Sequence, residues 1–288
     1  MKRFLFLLLV IGLFQSCKKE MLETIPTNQA PNDYTVELTT VERYITRTYI
    51  LTIGREPDSL EFNTAMAALV GSNLDSISRN NFLNNVFSSA SYLPNLFEQN
   101  KIDLLNNVDT SEFTSWIFIF NNYLQDTTYS FQWPFLQFEL DRMLLMQSAF
   151  SEFTDGTIDI KELQKRMSNN YLYDQINMGS ANFVISTFQH LINRNPTISE
   201  QANGIAMAEG NNGIIFLQTG SSKIDYLDIL IHSGNYYEAQ VVFQYQKYLS
   251  RLPSSYEMAS GTQLYYSTNN YTAVQKLILS SNEFIGIQ

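Results

Sequence analysis

A motif that occurs three times constrains the fold of this 288-residue chain more than any other feature of its sequence. Each copy has an aromatic residue, an aliphatic residue four positions later, then Arg-x-Pro, a small polar residue and a glutamate. The copies occupy residues 49–61, 188–200 and 245–257. Residues four apart share one face of an α-helix, and the residue before a proline is forced out of the helical region. The motif therefore predicts a helix that ends at an Arg-x-Pro turn.

A second helix is expected to begin directly after each turn. Asp, Thr and Ser are good N-terminal caps, and a glutamate three residues later completes a capping box. The arginines either bond helix-end carbonyls and pair with the glutamates, or form a repeated ligand site. Caps and turns explain the pattern without a ligand, so we favour the structural interpretation. The turn and cap residues are Arg55, Pro57, Asp58, Glu61, Arg194, Pro196, Thr197, Glu200, Arg251, Pro253, Ser254 and Glu257.

The ends of the three predicted units are also alike, with a serine followed three residues later by an aromatic residue. Strand-like alternation is weak and only 12 glycines occur, so the sequence predicts an all-α fold of about a dozen helices. We expect repeated helix-turn-helix pairs packed with a central aromatic helical insert. The predicted segments are a lipoprotein signal peptide at 1–16, a lipidated linker at 17–35, helix-pair units at 36–96, 181–238 and 239–288, and an aromatic-rich helical insert at 97–180.

The helix-pair units resemble a bacterial domain of unknown function with the pattern Y-x-x-x-L-x-R-x-P-D, ending in S-x-E-F. The first unit is also similar to the cytochrome-associated helical domains of planctomycete proteins. The likeness covers about 41–96 and 181–288, and no catalytic residues come with it. Thr197 and Ser254 stand where the pattern has aspartate, which weakens any ligand role for Asp58.

The N-terminus has the pattern of an export signal. Lys2 and Arg3 precede an apolar run at 4–14, which is too short to span a bilayer, and Cys17 follows. The letters L-F-Q-S-C resemble the lipobox of Bacteroidota lipoproteins, which implies cleavage before Cys17 and acylation, for example with palmitate. The alternative is a plain signal peptide with an incidental cysteine. The resemblance implies an outer-membrane lipid anchor, and basic residues at 18–19, where surface-exported lipoproteins carry acidic ones, favour the periplasmic face.

The segment 113–138 is dense in aromatic residues and contains both tryptophans, Trp116 and Trp133. Phe131, Phe135 and Phe138 have helical spacing, so we expect this stretch to face the core. The alternative is an exposed aromatic platform in which Trp116 and Trp133 bind a ligand.

A possible calcium loop follows at residues 155–163. Asp155, Asp159 and Glu162 match the second half of an EF-hand loop, but Ser151 and Phe153 stand where its first half needs carboxylates. The competing interpretation is an Asp-Gly turn before a helix that Asp159 caps. We therefore predict no metal site and no cofactor.

Composition and motifs argue against several function classes. The net charge of −10 argues against a nucleic-acid partner, and the single cysteine excludes an internal disulfide. No phosphate-binding or nucleophile motif occurs, and His190 and His232 are the only histidines. An enzyme would need a pocket with convergent carboxylates or both histidines.

The sequence predicts a non-enzymatic, lipid-anchored cell-envelope protein that acts as a scaffold or accessory subunit of an outer-membrane complex. Its partners would be the membrane, through the lipid, and an envelope protein. The alternative is a lipoprotein that binds polysaccharide or peptide through residues 113–138.

Overall fold

Helices form nearly all the regular structure of residues 36–287, which are the residues that this computed structural model describes. They confirm the all-α prediction. Cys17 and the predicted signal peptide and linker lie outside the described residues. The fifteen α-helices of the described residues are α1 Leu38–Ile53, α2 Ser59–Gly71, α3 Ser76–Phe87, α4 Tyr92–Leu105, α5 Thr110–Gln125, α6 Trp133–Thr154, α7 Ile160–Ser168, α8 Tyr171–Ile176, α9 Ser180–Thr187, α10 Ile198–Ala208, α11 Lys223–Ile231, α12 Gly234–Leu249, α13 Ser255–Thr268, α14 Tyr271–Leu279 and α15 Asn282–Ile285.

Two short helical segments of the described chain are not α-helical. A 3-10 helix, Thr127–Gln132, links α5 to α6, and a π-helical turn, Phe188–Ile192, extends α9. Two short strands, β1 Gly213–Ile215 and β2 Gln218–Gly220, form an antiparallel hairpin that the sequence analysis does not predict.

The two helices that flank each Arg-x-Pro turn pack against each other, as α1 with α2, α9 with α10, and α12 with α13. In each case the residue before the arginine has a left-handed backbone, with φ of 80° at Gly54, 57° at Asn193 and 55° at Ser250. A left-handed residue ends a helix because it turns the chain away from the helix axis. The chain therefore reverses in a few residues and brings the next helix back onto the first.

The serines of the closing motif start helices. Ser233 caps α12 and Ser281 caps α15, each by accepting the backbone N–H of the aromatic residue three positions later, at 3.2 Å. In the first unit, Ser89 instead accepts the N–H of Ser91, and α4 begins at Tyr92. The serine and aromatic pattern therefore marks a helix start, with one variant geometry.

Helices from the start of the described chain pack against its last helix, α15. Arg47 of α1 donates to the carbonyl oxygens of Phe284, at 3.2 Å, and Tyr248, at 2.5 Å. Arg79 of α3 donates to the carbonyl oxygen of Ser280 at 3.0 Å and to Asn282 Oδ1 at 2.8 Å. The described residues belong to one compact unit.

No helix within 36–287 combines the length and the apolar character that a membrane crossing requires.

Candidate functional site

The three Arg-x-Pro turns have the same bonding pattern. Each arginine donates through Nη1 and Nη2 to both carboxylate oxygens of the glutamate six residues later, at 2.7–2.8 Å. Nη1 also donates to the carbonyl oxygen of the following residue, at 2.8–3.0 Å. Bidentate arginine–carboxylate pairs of this kind fix geometry as well as adding energy.

The same glutamates complete the helix caps. Asp58, Thr197 and Ser254 each accept the backbone N–H of their glutamate, and each glutamate accepts the N–H of its cap residue at 2.7–2.8 Å. The hydrogen bonds from arginine lower the pKa of Glu200 and of Glu257 to about 2. Both carboxylate oxygens of each glutamate and both terminal nitrogens of each arginine therefore have a partner within the turn itself, which supports a structural rather than a ligand-binding role.

The segment 113–138 forms a helical hairpin made of α5, the 3-10 helix and the start of α6. We call it the aromatic hairpin. Its two helices pack closely along their length. Phe113 and Phe120 are buried, and Trp116 packs against Tyr171 of α8 with ring centres 4.4 Å apart. These contacts attach one face of the hairpin to the rest of the molecule.

The prediction that Phe131, Phe135 and Phe138 face the core is wrong. Their exposed fractions are 77%, 56% and 43%, and Phe118 is 66% exposed. The core-facing stripe of α6 is formed instead by other residues with the same helical period. Its buried apolar members are Leu136, Leu140, Met143, Met146, Ala149 and Phe153.

The two tryptophans lie at different places on the aromatic hairpin. Trp116 lies on α5 against the body of the molecule, and Trp133 lies at the start of α6. Trp133 Nε1 donates to the carbonyl oxygen of Tyr123 at 3.3 Å, and the Tyr123 ring stacks edge-on against Tyr129 at 4.7 Å. Both tryptophans are partly buried, so neither ring is among the exposed aromatic residues of the hairpin.

A signal in the sequence distinguishes the aromatic hairpin from an ordinary core segment. Between Glu112 and Glu139 the only charged residue is Asp126, which caps the 3-10 helix. A helix with one buried face normally carries charges on its other face. Here uncharged and aromatic residues occupy the exposed face too, and exposed apolar patches of this kind mark interaction surfaces.

The carboxylates of residues 155–163, the possible calcium loop, form hydrogen bonds and ion pairs with nearby residues. Asp155 accepts from the Thr157 hydroxyl and backbone N–H at 2.6 and 2.9 Å, and Asp159 caps α7 through the Glu162 N–H. Glu162 itself pairs with Arg166 at 2.8 Å. Within residues 36–287 no group of three His, Cys, Asp or Glu side chains is arranged to hold a metal ion.

Two carboxylates lie close to each other, but both are paired with basic side chains. Glu139 and Asp174 both bond Arg142, which is 4% exposed, and Asp174 also bonds Lys223. Two negative and two positive side chains thus neutralise one another where α6, α8 and α11 meet. The pairing leaves these carboxylates as structural partners rather than as an acid and a base.

The two histidines are in different surroundings. His190 lies in the π-helical turn, where Nδ1 is 3.0 Å from the Tyr173 hydroxyl, and burial lowers the pKa of its imidazole. His232 ends α11, with Nδ1 2.9 Å from the carbonyl oxygen of Asp228. The cavity that His190 lines does not include His232.

Comparisons of the chain with models of protein families, with curated proteins and with solved structures find no match.

Proposed function

We propose that the protein is a lipid-anchored, non-enzymatic scaffold or accessory subunit of an outer-membrane complex, held at the periplasmic face through Cys17. In this proposal the aromatic hairpin docks an envelope protein. The observation that carries it is the exposure of Phe118, Phe131 and Phe135 within a segment that has a single charge between Glu112 and Glu139.

The chemistry of the hairpin suits a protein partner. Aromatic side chains dominate the energetics of protein interfaces, and charged residues are depleted at interface centres. The hairpin is also supported from behind, because Phe113 and Phe120 anchor it to the core. A firmly supported aromatic surface loses little conformational entropy on binding.

The test is an affinity purification of the tagged full-length protein from gently solubilised native membranes. We expect one stoichiometric envelope protein, which a Phe131→Ser/Phe135→Ser variant no longer retains. A matched control is Ile198→Ser/Tyr256→Ser, because these side chains are 90% and 82% exposed but lie outside the hairpin. Equal retention by both variants would contradict docking through the hairpin.

Cys17→Ala separates the anchor from the docking surface. If the lipid places the protein beside its partner, this variant should lose the partner in cells and regain it when the purified proteins are mixed. If the variant loses the partner both in cells and in the purified mixture, the lipid does more than place the protein beside its partner.

The alternative is binding of polysaccharide or peptide by the aromatic segment. It is favoured by the fixed position of Trp133, whose ring is partly exposed and hydrogen-bonded. Titration with envelope glycans should then change tryptophan fluorescence, and a Trp133→Phe variant should lose that change. A signal that persists without Trp133 would contradict this site.

A further inference from the structure

Five basic side chains form no ion pair with another residue of the described chain, and three of the five lie together. Nine of the fourteen lysines and arginines between residues 36 and 287 form ion pairs, in a chain whose net charge is −10. The other five are Arg43, Arg47, Arg79, Lys247 and Lys276. Arg43, Arg47 and Lys247 line one cavity. An acidic chain that pairs most of its cations thus leaves three of them at the same place.

This cavity is a groove of about 600 Å³ between one face of α1 and the end of α12, and we call it the basic groove. Arg43, Thr46, Arg47 and Ile50 of α1 line it, and they share a face of the helix because they are three or four residues apart. Lys247 lines it from α12. The volume lies within the range of about 300–1,000 Å³ that is typical of small-molecule sites.

Hydrogen bonds hold Arg47 in the basic groove without neutralising its charge. Its Nη1 and Nη2 donate to the carbonyl oxygens of Phe284 and Tyr248, and Arg43 Nη2 reaches the carbonyl oxygen of Ile285 at 3.5 Å. Carbonyl oxygens carry no formal charge, so both guanidinium groups keep theirs. A side chain that is already held in place loses little conformational entropy when it binds a ligand.

The charges of the basic groove do not balance. Arg43 and Arg47 lie one turn apart, where like charges destabilise a helix. Burial lowers the pKa of Arg47, and the charge of Arg43 lowers it further. Glu42 is the only acidic residue of the lining within the described chain, so the lining has a formal charge of +2. Asp103 attracts Lys247 from a neighbouring cavity, but it does not line the groove. An anion in the groove would relieve this repulsion.

We propose that the basic groove binds the phosphate group of a phosphate ester. A phosphate monoester carries a charge of about −1.5 to −2 at pH 7, which complements the lining. The planar fork of an arginine fits phosphate oxygens, and Lys247 adds a compact positive charge. The Thr46 hydroxyl supplies a further donor. Ile50 is 46% exposed and offers apolar surface to the carbon part of the ester.

Two kinds of molecule present such a group, namely a water-soluble ester such as glycerol 3-phosphate and the headgroup of a phospholipid. A phospholipid source rests on the proposed function, because it needs the protein at a membrane, whereas a soluble source does not. The basic groove and the aromatic hairpin share no residues, so the outcome is independent of docking through the hairpin.

The soluble source is tested by titration calorimetry of the full-length protein in a nonionic detergent. The ligands are glycerol 3-phosphate and inorganic phosphate, with glycerol as the uncharged comparison and succinate as the carboxylate comparison. We expect saturable binding of glycerol 3-phosphate and no binding of glycerol. Binding in this experiment shows that the phosphate group suffices without a membrane.

The membrane source is tested by flotation of full-length Cys17→Ala protein with phosphatidylcholine vesicles that contain or lack phosphatidic acid. This variant has no acylation site, so a failure of the proposed lipid anchor leaves the experiment unchanged. Vesicles of phosphatidylcholine alone give the background. Greater flotation with phosphatidic acid, without binding of the soluble esters, assigns the groove to a phospholipid headgroup.

Single substitutions assign the binding to the basic groove. Arg43→Gln and Lys247→Gln should each weaken it roughly tenfold, because each removes a charge-assisted hydrogen bond. Lys276→Gln is the matched control. Lys276 donates to the side-chain oxygen of Asn84 as Lys247 does to that of Gln99, but it lies outside the groove. This control should bind as the wild type does, and thermal unfolding of the variants checks that lost binding does not reflect lost structure.

Three results would overturn the proposal. The first is no binding of either soluble phosphate up to about 10 mM, together with equal flotation on both kinds of vesicle. The second is tighter binding of succinate than of glycerol 3-phosphate. The third is an equal loss of binding in Lys276→Gln and Lys247→Gln, which would indicate a general effect of net charge rather than a site.

Discussion

Arg47 in the first helix and Phe284 in the last are joined twice. The guanidinium carbon of Arg47 lies 4.3 Å from the centre of the Phe284 ring, and Arg47 also donates to the Phe284 carbonyl oxygen at 3.2 Å. The ring packs edge-on against Tyr44 and Tyr248, with centres 6.0 and 6.4 Å apart. The last helix, α15, therefore packs into the same hydrophobic core as α1.

Phe284→Ala should destabilise the protein by about 3–5 kcal/mol, the usual cost of removing a buried phenylalanine ring. Urea unfolding followed by circular dichroism measures this change. Leu252→Ala is the control, because Leu252 is 63% exposed and its truncation should change little. Equal effects of the two substitutions would contradict the role of α15 in the core.

The three turn arginines should differ in importance. Arg251 bonds Glu283 as well as Glu257, whereas Arg55 and Arg194 each pair with one glutamate. Arg251→Ala should therefore cost the most, about 1–2 kcal/mol because hydrogen bonds to charged groups are stronger than neutral ones but the site is partly exposed. Thermal unfolding of the three alanine variants gives the order. A smaller loss of stability for Arg251→Ala than for Arg55→Ala would contradict an added contribution from the Arg251–Glu283 pair.

The left-handed residues of two turns should respond in opposite directions. Gly54→Ala should destabilise by about 1–2 kcal/mol, because an alanine at φ 80° is strained and its Cβ would lie 2.4 Å from Asn95 Oδ1. Ser250→Gly should instead stabilise by up to about 1 kcal/mol, because glycine adopts φ 55° without that strain. Chemical denaturation of both variants tests the pair, and a shift in the same direction for both would refute the prediction.

The capping carboxylates make stability depend on pH in the acid range. The pKa of Glu200 and of Glu257 is about 2 in the folded protein, against an ordinary value of 4.5. Between these values the unfolded chain binds more protons, so the contribution of the pairs is complete above pH 4.5 and is lost as the pH falls toward 2. Glu200→Gln/Glu257→Gln should be less stable near neutral pH and lose less on acidification. Parallel stability curves for variant and wild type would contradict this account.

Two phenylalanines of the aromatic hairpin should behave differently. Phe120→Ala should cost about 3–5 kcal/mol because Phe120 is 3% exposed, whereas Phe131→Ala should change stability by less than about 0.5 kcal/mol because Phe131 is 77% exposed. Differential scanning calorimetry of the two variants makes the comparison. A large loss from Phe131→Ala would mean that its ring supports the fold.

The Arg-x-Pro turns were accessible to sequence reasoning because, apart from the Arg251–Glu283 pair, the bonds that define them join residues at most six positions apart. A cap and a glutamate six positions from an arginine can be recognised without knowledge of the rest of the fold, whereas the left-handed residue before each arginine was found only in the structure. The hairpin of β1 and β2 was not predicted, because non-glycine residues, Phe216 and Leu217, occupy the positive φ positions of its turn.

The aromatic hairpin shows where such reasoning fails. Helical spacing places Phe131, Phe135 and Phe138 on one side of the chain, but spacing alone does not say which side is buried. Leu136, Leu140 and Met143 have the same period, and they are the residues that meet the core. The lack of charge around them was the more informative signal.

The cavity that His190 lines lay beyond sequence reasoning for a different reason. Gln240 and Gln244 look like ordinary helix residues, and the cavity exists only because α4 and the π-helical turn pack beside them. Long-range packing of that kind leaves no local pattern.

The contact between Arg47 and Phe284 has a consequence for how the molecule folds and unfolds. In an open array of helix pairs, each pair contacts only its neighbours, and the ends can fray or accept further pairs. Here α1 and α15 pack against each other, although 237 positions of sequence separate Arg47 from Phe284. Loss of either end removes support from the other, so we expect one cooperative unfolding transition rather than stepwise unravelling.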